Sequence, residues 1–235
     1  MPNTESSPQP RILFCVTKSS RGGAQRYVRD LTRSLAEIYE IHVAAGGDGP
    51  LWESLPLPAH ARHQLRHLNR NIAPLRDIRA LREIIHLLAA TQPDILHLNS
   101  SKAGFIGALA ARWWNLFQQP GHRVRIVFTA HGWAFNEKRA ACSRMLFTLI
   151  HHITVILAHH TIAVSEKTKR DICADRKCRS VSVVYNGITA PELFEQHDAR
   201  TTLVPGTGAN EIWIGTIAEL HTNKGLDVAL RAFAK

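Results

Sequence analysis

From Arg11 onward, short apolar runs alternate with longer stretches in which apolar residues recur every three or four positions. The first run, RILFCVT (11–17), ends at Ser-Ser-Arg-Gly-Gly. Ala24, Tyr27, Val28, Leu31, Leu35 and Ile38 then share one face at helical spacing. IHVAAGG (41–47) predicts a second strand ending in glycines. Between Asp48 and Pro74 four prolines and the lack of a sustained period predict loops around a weak helix and strand. Leu75, Ile78, Leu81, Ile85 and Leu88 predict the apolar face of a further helix. DILHLN (94–99) predicts a buried strand, and KAGFIGALAARWW (102–114) a helix whose small residues allow close packing. VRIVFTAHG (124–132) reads as strand and turn, and 138–158 as a long helix. HTIAVS (160–165) predicts a strand, with Ser165 capping the helix that opens at EKTKRDI. SVSVVYNG (180–187) predicts a strand closed by an Asn-Gly turn. From Ile212 to Lys235 the chain reads as a strand, a turn and a helix that ends in mid-stride.

Strands alternating with helices in this way predict an α/β fold: a Rossmann-like parallel sheet with helices on both faces. Ligands of such sheets bind outside the carboxyl ends of the strands. The glycine- and histidine-bearing turns all fall at such ends, so the candidate sites gather on one edge. Residues 1–10 are polar and proline-bearing, lack an apolar signal core, and read as a flexible tail. Residues 11–205 read as one domain and 206–235 as the first strand and helix of an incomplete second one. Two complete α/β domains would need roughly 300 residues.

Composition narrows the partners. With 45% hydrophobic and 20% charged residues the chain is globular, not disordered. Its net charge of +10 favours an anionic partner. The cations are scattered and no RNA- or DNA-binding motif accompanies them, so nucleic acid is not expected. Cys15, Cys142, Cys173 and Cys178 read as thiols of a reducing cytosol. The Cys173/Cys178 pair lacks a second ligand pair, so no metal site is expected. Met145 to Val164 is apolar but carries four histidines; it reads as a buried helix entering a buried strand and not as a membrane span.

Four places carry candidate chemistry. Gly22 and Gly23 open a helix after the first strand, where backbone N–H groups and missing side chains suit an anion. Their spacing is not that of a dinucleotide fingerprint, which argues against a nicotinamide-dependent dehydrogenase. Ser100, Ser101 and Lys102 offer hydroxyls and a cation at another helix start. His131-Gly132 lies just beyond a strand end, where a neutral imidazole meets a substrate hydroxyl. Lys224, before the last helix, suits a diphosphate. Taken singly, each has a plain alternative: a turn, a satisfied histidine, a surface lysine.

Taken in order, GGAQRYVRDL, HLNSSKAG, FTAHGWAF, IAVSEKTK, VYNGI and IGTIAELHTNKGLD resemble the glycosyltransferase family 4 enzymes over nearly the whole chain. The SSKAG and TAHG segments are similar to members that build bacterial surface polysaccharides. The resemblance implies a GT-B architecture, two Rossmann-like domains facing across a cleft. The N-terminal one receives the acceptor and the C-terminal one holds a nucleoside-diphosphate sugar. It implies transfer with retention of configuration, with no metal or other cofactor. It places Gly22 and Gly23 near the donor diphosphate, His131 near the transferred sugar, and Lys224 on the leaving phosphate, where charge accumulates. Ser100, Ser101, Lys102, Gly132 and Asn186 are carried over as substrate-binding positions.

Two departures bear on activity. Glu219 stands where the family often has an arginine, and a carboxylate repels a diphosphate. The family's donor-gripping glutamate motif falls beyond Lys235, so little transfer is expected of residues 1–235 alone. The expected role is a sugar transferase acting on a lipid-linked glycan, cytoplasmic and peripheral on the inner membrane face. Trp113, Trp114 and Phe117 beside Arg112 are candidate membrane contacts. The rival is a non-catalytic module that binds an acceptor or a partner. A half-built second domain should leave Ile212, Ile214 and Ile217 partly uncovered and prone to aggregate, whereas a monodisperse, stable chain would favour the self-sufficient module.

Overall fold

The computed structural model describes residues 9–137, 139–173, 178–188, 190–206, 211–218, 220 and 224–234. Contacts divide the chain into one unit ending at Asn186 and another beginning at Gly187. The first unit holds strands β1 (Arg11–Val16), β2 (Glu40–Gly46), β3 (Arg62–Leu65), β4 (Ile95–Leu98), β5 (Arg125–Ala130), β6 (His160–Ala163) and β7 (Val181–Val183). Its helices are α1 (Gly23–Leu35), α2 (Leu51–Ser54), α3 (Pro74–Thr91), α4 (Ser101–Leu116), α5 (Ala141–Leu157) and α6 (Glu166–Cys173).

All seven strands are parallel, in the order β3-β2-β1-β4-β5-β6-β7. The chain steps one way from β1 and the other way from β4, so the sheet has a split between these two neighbours. Alternation along β1 sorts the core. Leu13 and Cys15 join Leu96, Leu98, Ile126 and Phe128 under Ile84 and Leu88 of α3 and Ala103 and Ile106 of α4. Ile12, Phe14 and Val16 join Ile41 and Val43 under Val28 of α1. The small residues of α4 pack as expected. A Cβ on Gly104 would lie 2.7 Å from the Phe128 ring, and one on Gly107 would lie 2.4 Å from Leu98. Ser165 caps α6, its Oγ accepting the Thr168 N–H at 3.1 Å.

Several expectations are corrected. On α3 Ala80, Ile84, Leu88 and Thr91 are buried and Leu81 and Ile85 pack against the core, while Leu75 and Ile78 are exposed, so the expected face is covered only beyond the helix's first turns. Helix α1 ends at Leu35, leaving Ile38 outside it and exposed. Helix α5 is not wholly buried: Met145, Leu146, Leu149 and Ile156 face outward. Cys173 and Cys178 are joined in a disulfide, leaving Cys15 and Cys142 as thiols. Trp113 and Phe117 are exposed, whereas Trp114 packs against the core. Among the described residues no helix is long and apolar enough to cross a membrane.

The second unit contains α7 (Gln196–Leu203) and α8 (Leu226–Phe233), neither with a buried residue. Arg200 stacks over the Trp213 ring at 5.2 Å and donates to the Glu211 carbonyl at 2.9 Å. The strand expected at 212–218 does not form. A strand needs a ladder partner for its N–H and C=O groups, and none of the described residues supplies one. Ile212, Ile214 and Ile217 are exposed.

Candidate active site at the split of the sheet

An open parallel sheet offers a crevice where the strand order reverses, here beyond the carboxyl ends of β1 and β4. Thr17 follows β1, and Ser100 precedes α4. The Thr17 N–H donates to Ser100 Oγ at 2.9 Å, the two hydroxyls lie 2.7 Å apart, and Thr17 Oγ1 accepts the Ala103 N–H at 3.1 Å. That last bond gives a partner to one of the free donors of the α4 N-terminus. The two edges of the crevice are thereby stitched together. Ser19 ties the next loop, donating to the Gly46 carbonyl at 3.0 Å and accepting the Gly49 N–H at 2.7 Å.

A cavity of about 850 Å³ opens above this stitch, within the usual range for ligand sites. Thr17, Ser100, Ser101 and Lys102 line its inner end, and Ala24 and Gln25 bring in the start of α1. Phe105, Phe147 and Ile150 supply an apolar wall. Lys102 is not a free cation: it pairs with Asp77 at 2.6 Å and also donates to the Asn71 carbonyl. Arg139 pairs with Glu137 at 2.5 Å, donates to the Ala134 carbonyl at 3.1 Å, and lies 4.5 Å over the Phe147 ring. Arg70 and Lys18 also line the cavity and have no ion-pair partner among the described residues.

Gly22 and Gly23 stand at the start of α1. A Cβ on Gly23 would meet nothing within 4 Å, and one on Gly22 would meet only the Gln25 side chain. The chain's own packing therefore does not demand glycine there, and the space in front of it is open to a ligand. Gly132 differs: its φ of 149° is one that L side chains rarely adopt.

His131 follows β5 and meets Tyr27 of α1 edge-on, ring centroids 4.9 Å apart. Burial pushes its pKa down to about 4, so at neutral pH the imidazole is uncharged. Its Nε2 is buried and has no hydrogen-bond partner. Beneath it His97 of β4 bonds Thr129 Oγ1 through Nε2 at 2.8 Å. Burial, with repulsion from His131 added, also holds His97 at about 4. Tyr27 touches both rings, lying 6.3 Å from His97. Asn99, fully buried at the end of β4, leaves Oδ1 without a partner.

The structure thus gathers Gly22, Gly23, Ser100, Ser101 and Lys102 around the split, with His131 and Gly132 one strand further along, beyond β5. Asn186 is exposed beyond β7 and does not line the cavity. Lys224 is exposed in the second unit, just before α8. Glu219 lies outside the described residues. Sequence reasoning missed Thr17, Tyr27, His97, Asn99 and Arg70. Thr17 carries a faint signal as the last residue of the first strand run, but its partner Ser100 is 83 positions away. Among the described residues no group of three or more His, Cys, Asp or Glu side chains is arranged to hold a metal ion.

Comparison with known proteins follows the same outline. The sequence pattern of Glycosyltransferase Family 4 matches residues 21–190. An Escherichia coli protein, UDP-Gal:alpha-D-GlcNAc-diphosphoundecaprenol alpha-1,3-galactosyltransferase, is 27% identical over 155 residues, 65% of this chain and 38% of its own. Anabaena HepE, solved in complex with UDP and glucose, superposes with a TM-score of 0.56 at 18% identity, covering 83% of this chain and 50% of its own. Sucrose-phosphate synthase of Thermosynechococcus elongatus gives 0.61 at 18% identity, covering 86% and 54%. The chain therefore spans 38% of the curated relative and about half of each solved structure. At these identities the solved structures speak for the fold: a Rossmann-like parallel sheet of the GT-B kind.

Proposed function

We propose that this chain, which belongs to glycosyltransferase family 4, provides the acceptor side of an enzyme that transfers a sugar from a nucleoside-diphosphate sugar to a lipid-linked glycan. The observation that carries the reading is the cavity at the split of the sheet. Hydroxyls and an apolar wall line it, and beyond the next strand, β5, stands an uncharged histidine whose Nε2 has no hydrogen-bond partner. In this reading His131 Nε2 hydrogen-bonds a hydroxyl of the transferred sugar, which the neutral imidazole does without introducing charge. The open space before Gly22 and Gly23 admits the donor diphosphate to the N-terminus of α1. Ser100 and Ser101 address acceptor hydroxyls. Residues 206–235 begin the donor-side domain, where Lys224 neutralises the leaving phosphate.

Transfer proceeds in this proposal with retention of configuration and without a metal, at the cytoplasmic face of the membrane, in surface polysaccharide synthesis. The named acceptor of the Escherichia coli relative is a sugar on a diphosphoundecaprenol; a lipid-diphosphate acceptor is proposed here too. The test is sugar transfer by the full gene product, with radiolabelled UDP-sugars and a polyprenyl diphosphate-linked sugar. Transfer from one donor, lost in His131→Ala with the circular dichroism spectrum unchanged, supports the proposal. Acceptor binding without transfer or hydrolysis of any donor would point instead to the non-catalytic module.

A further inference from the structure

His131 stands on a short bridge between two fixed points. Behind it β5 ends at Ala130, and ahead of it Trp133 leads into a single 3-10 turn, Ala134–Asn136. Gly132, with its φ of 149°, makes the bend between them. With Nε2 unbonded among the described residues, the His131 ring is placed by its packing on Tyr27 and by the backbone on either side. What holds the turn therefore holds the histidine.

Three elements hold it. Trp133 is buried, donates from Nε1 to the Thr168 carbonyl of α6 at 2.7 Å, and meets the Phe128 ring of β5 at 6.3 Å between centroids. Its other neighbour is Phe135, stacked at 5.8 Å. Asn136 donates to the Asp171 carboxylate of α6 at 2.6 Å. From α5, His151 Nε2 accepts the Ala134 N–H at 3.3 Å, and its ring lies edge-on to Trp133 and Phe135 at 5.0 and 5.7 Å.

Of these residues, His151 is the one that packing does not account for. It is fully buried, and because Nε2 accepts, the neutral ring carries its proton on Nδ1. That nitrogen is buried with no hydrogen-bond partner among the described residues. Burial, with repulsion from His152 added, pushes the pKa down to about 4, so at neutral pH the Nε2 lone pair stays available. A phenylalanine would fill the space beside Trp133 and Phe135 without stranding a polar atom, which costs free energy when buried. What the histidine adds is an acceptor for the backbone of the turn that follows His131.

We propose that His151 is a positioning residue for His131: together with Trp133 it fixes the Ala134–Asn136 turn, and so keeps the His131 imidazole seated against Tyr27 with Nε2 free. This rests on the sugar-contacting role of His131 proposed above. It adds a residue that touches no substrate and acts through one that does.

The test follows the His131 ring proton by NMR through a pH titration of the full gene product, its signal assigned by its loss in His131→Ala, alongside sugar transfer and urea unfolding. His151→Phe keeps an aromatic ring and removes the acceptor; His151→Gln returns an acceptor. In the parent protein His131 should titrate at about 4. In His151→Phe the loosened turn lets the imidazole reach water, so its pKa should rise to about 5 or higher, toward the ordinary 6.5. The same variant should lower kcat at least about ten-fold with the donor KM held within about two-fold. His151→Gln should restore both. A role in the fold alone lowers the urea midpoint of His151→Phe and leaves the His131 titration where it was; that result overturns the proposal, as does a kcat that His151→Gln does not restore. If His151→Phe does not fold, Asn136→Ala decides: at an exposed position it removes the bond from the same turn to Asp171. It should move the His131 titration and kcat in the same directions, and leaving both unchanged overturns the proposal. The titration needs no substrate, so the two readings fail separately. A shifted His131 with no transfer from any donor keeps the positioning role and removes the transferase. Transfer undiminished in His151→Phe, with His131 unmoved, does the reverse.

Discussion

Replacing Thr17 by valine keeps the shape of the side chain and removes one oxygen. In the structure that oxygen accepts the Ala103 N–H at 3.1 Å and lies 2.7 Å from Ser100 Oγ, in a position only 7% exposed. The variant strands a buried backbone donor, which costs about 1–3 kcal/mol, and loses a hydroxyl–hydroxyl bond of about 1 kcal/mol. The expected loss is therefore about 2–4 kcal/mol, large against the 5–15 kcal/mol total of an ordinary domain. The assay is urea unfolding followed by circular dichroism and by fluorescence of Trp133, which is buried in the same unit. The midpoint should fall with an unchanged slope. Ser100→Ala leaves the Thr17 N–H without its 2.9 Å partner, so the double mutant should lose less than the sum, with a coupling of at least about 1 kcal/mol. A Thr17→Val cost below about 0.5 kcal/mol, or additivity within about 0.5 kcal/mol, would refute the stitch between β1 and α4.

Acid should destabilise the fold through its buried histidines. His97 is 8% exposed and its folded pKa is about 4, below the ordinary 6.5. Its contribution is thus complete above pH 6.5 and is lost as pH falls toward 4, by about 3 kcal/mol in all. His97→Gln should flatten the stability–pH curve in that window; an unchanged slope would count against it. Gly104→Ala forces a methyl group to 2.7 Å from the buried Phe128 ring and should cost about 1–3 kcal/mol. Gly121→Ala, with nothing within 4 Å, serves as a near-neutral control in the same denaturation assay. Gly23→Ala meets open space and starts a helix, so stability should hold or rise by a few tenths of a kcal/mol. UDP-sugar binding by calorimetry should weaken in that variant, and equal binding would show that the space before α1 is not the donor's.

Much of the fold was legible because parallel strands buried on both faces read as unbroken apolar runs. RILFCVT, IHVAAGG and DILHLN became β1, β2 and β4, and the glycines of α4 became its contacts with Phe128 and Leu98. Where one element alone sets the outcome, local pattern suffices, as with Ser165 capping α6. The expected face of α3 holds at Leu81, Ile85 and Leu88 and fails at Leu75 and Ile78, which are exposed, because a periodic stripe records which residues are apolar and not how far along its length a helix is covered. Ile212 to Ala218 has the composition of a strand and forms none, since a strand is completed by hydrogen bonds to a partner.

The sequence by itself determined the alternation of strands and helices, and so the edge of the sheet on which glycines, hydroxyls and His131 gather. That follows from local periodicity and from the rule that such turns end strands. Only the tertiary structure decided that β1 and β4 are neighbours, and hence that Thr17 meets Ser100 and that Tyr27 meets both His97 and His131. It also decided which cations are paired: Lys102 pairs with Asp77, and Arg70 has no ion-pair partner among the described residues. Strand order and ion pairing depend on contacts between segments far apart along the chain. No local pattern of hydrophobic and polar positions encodes a distance between them.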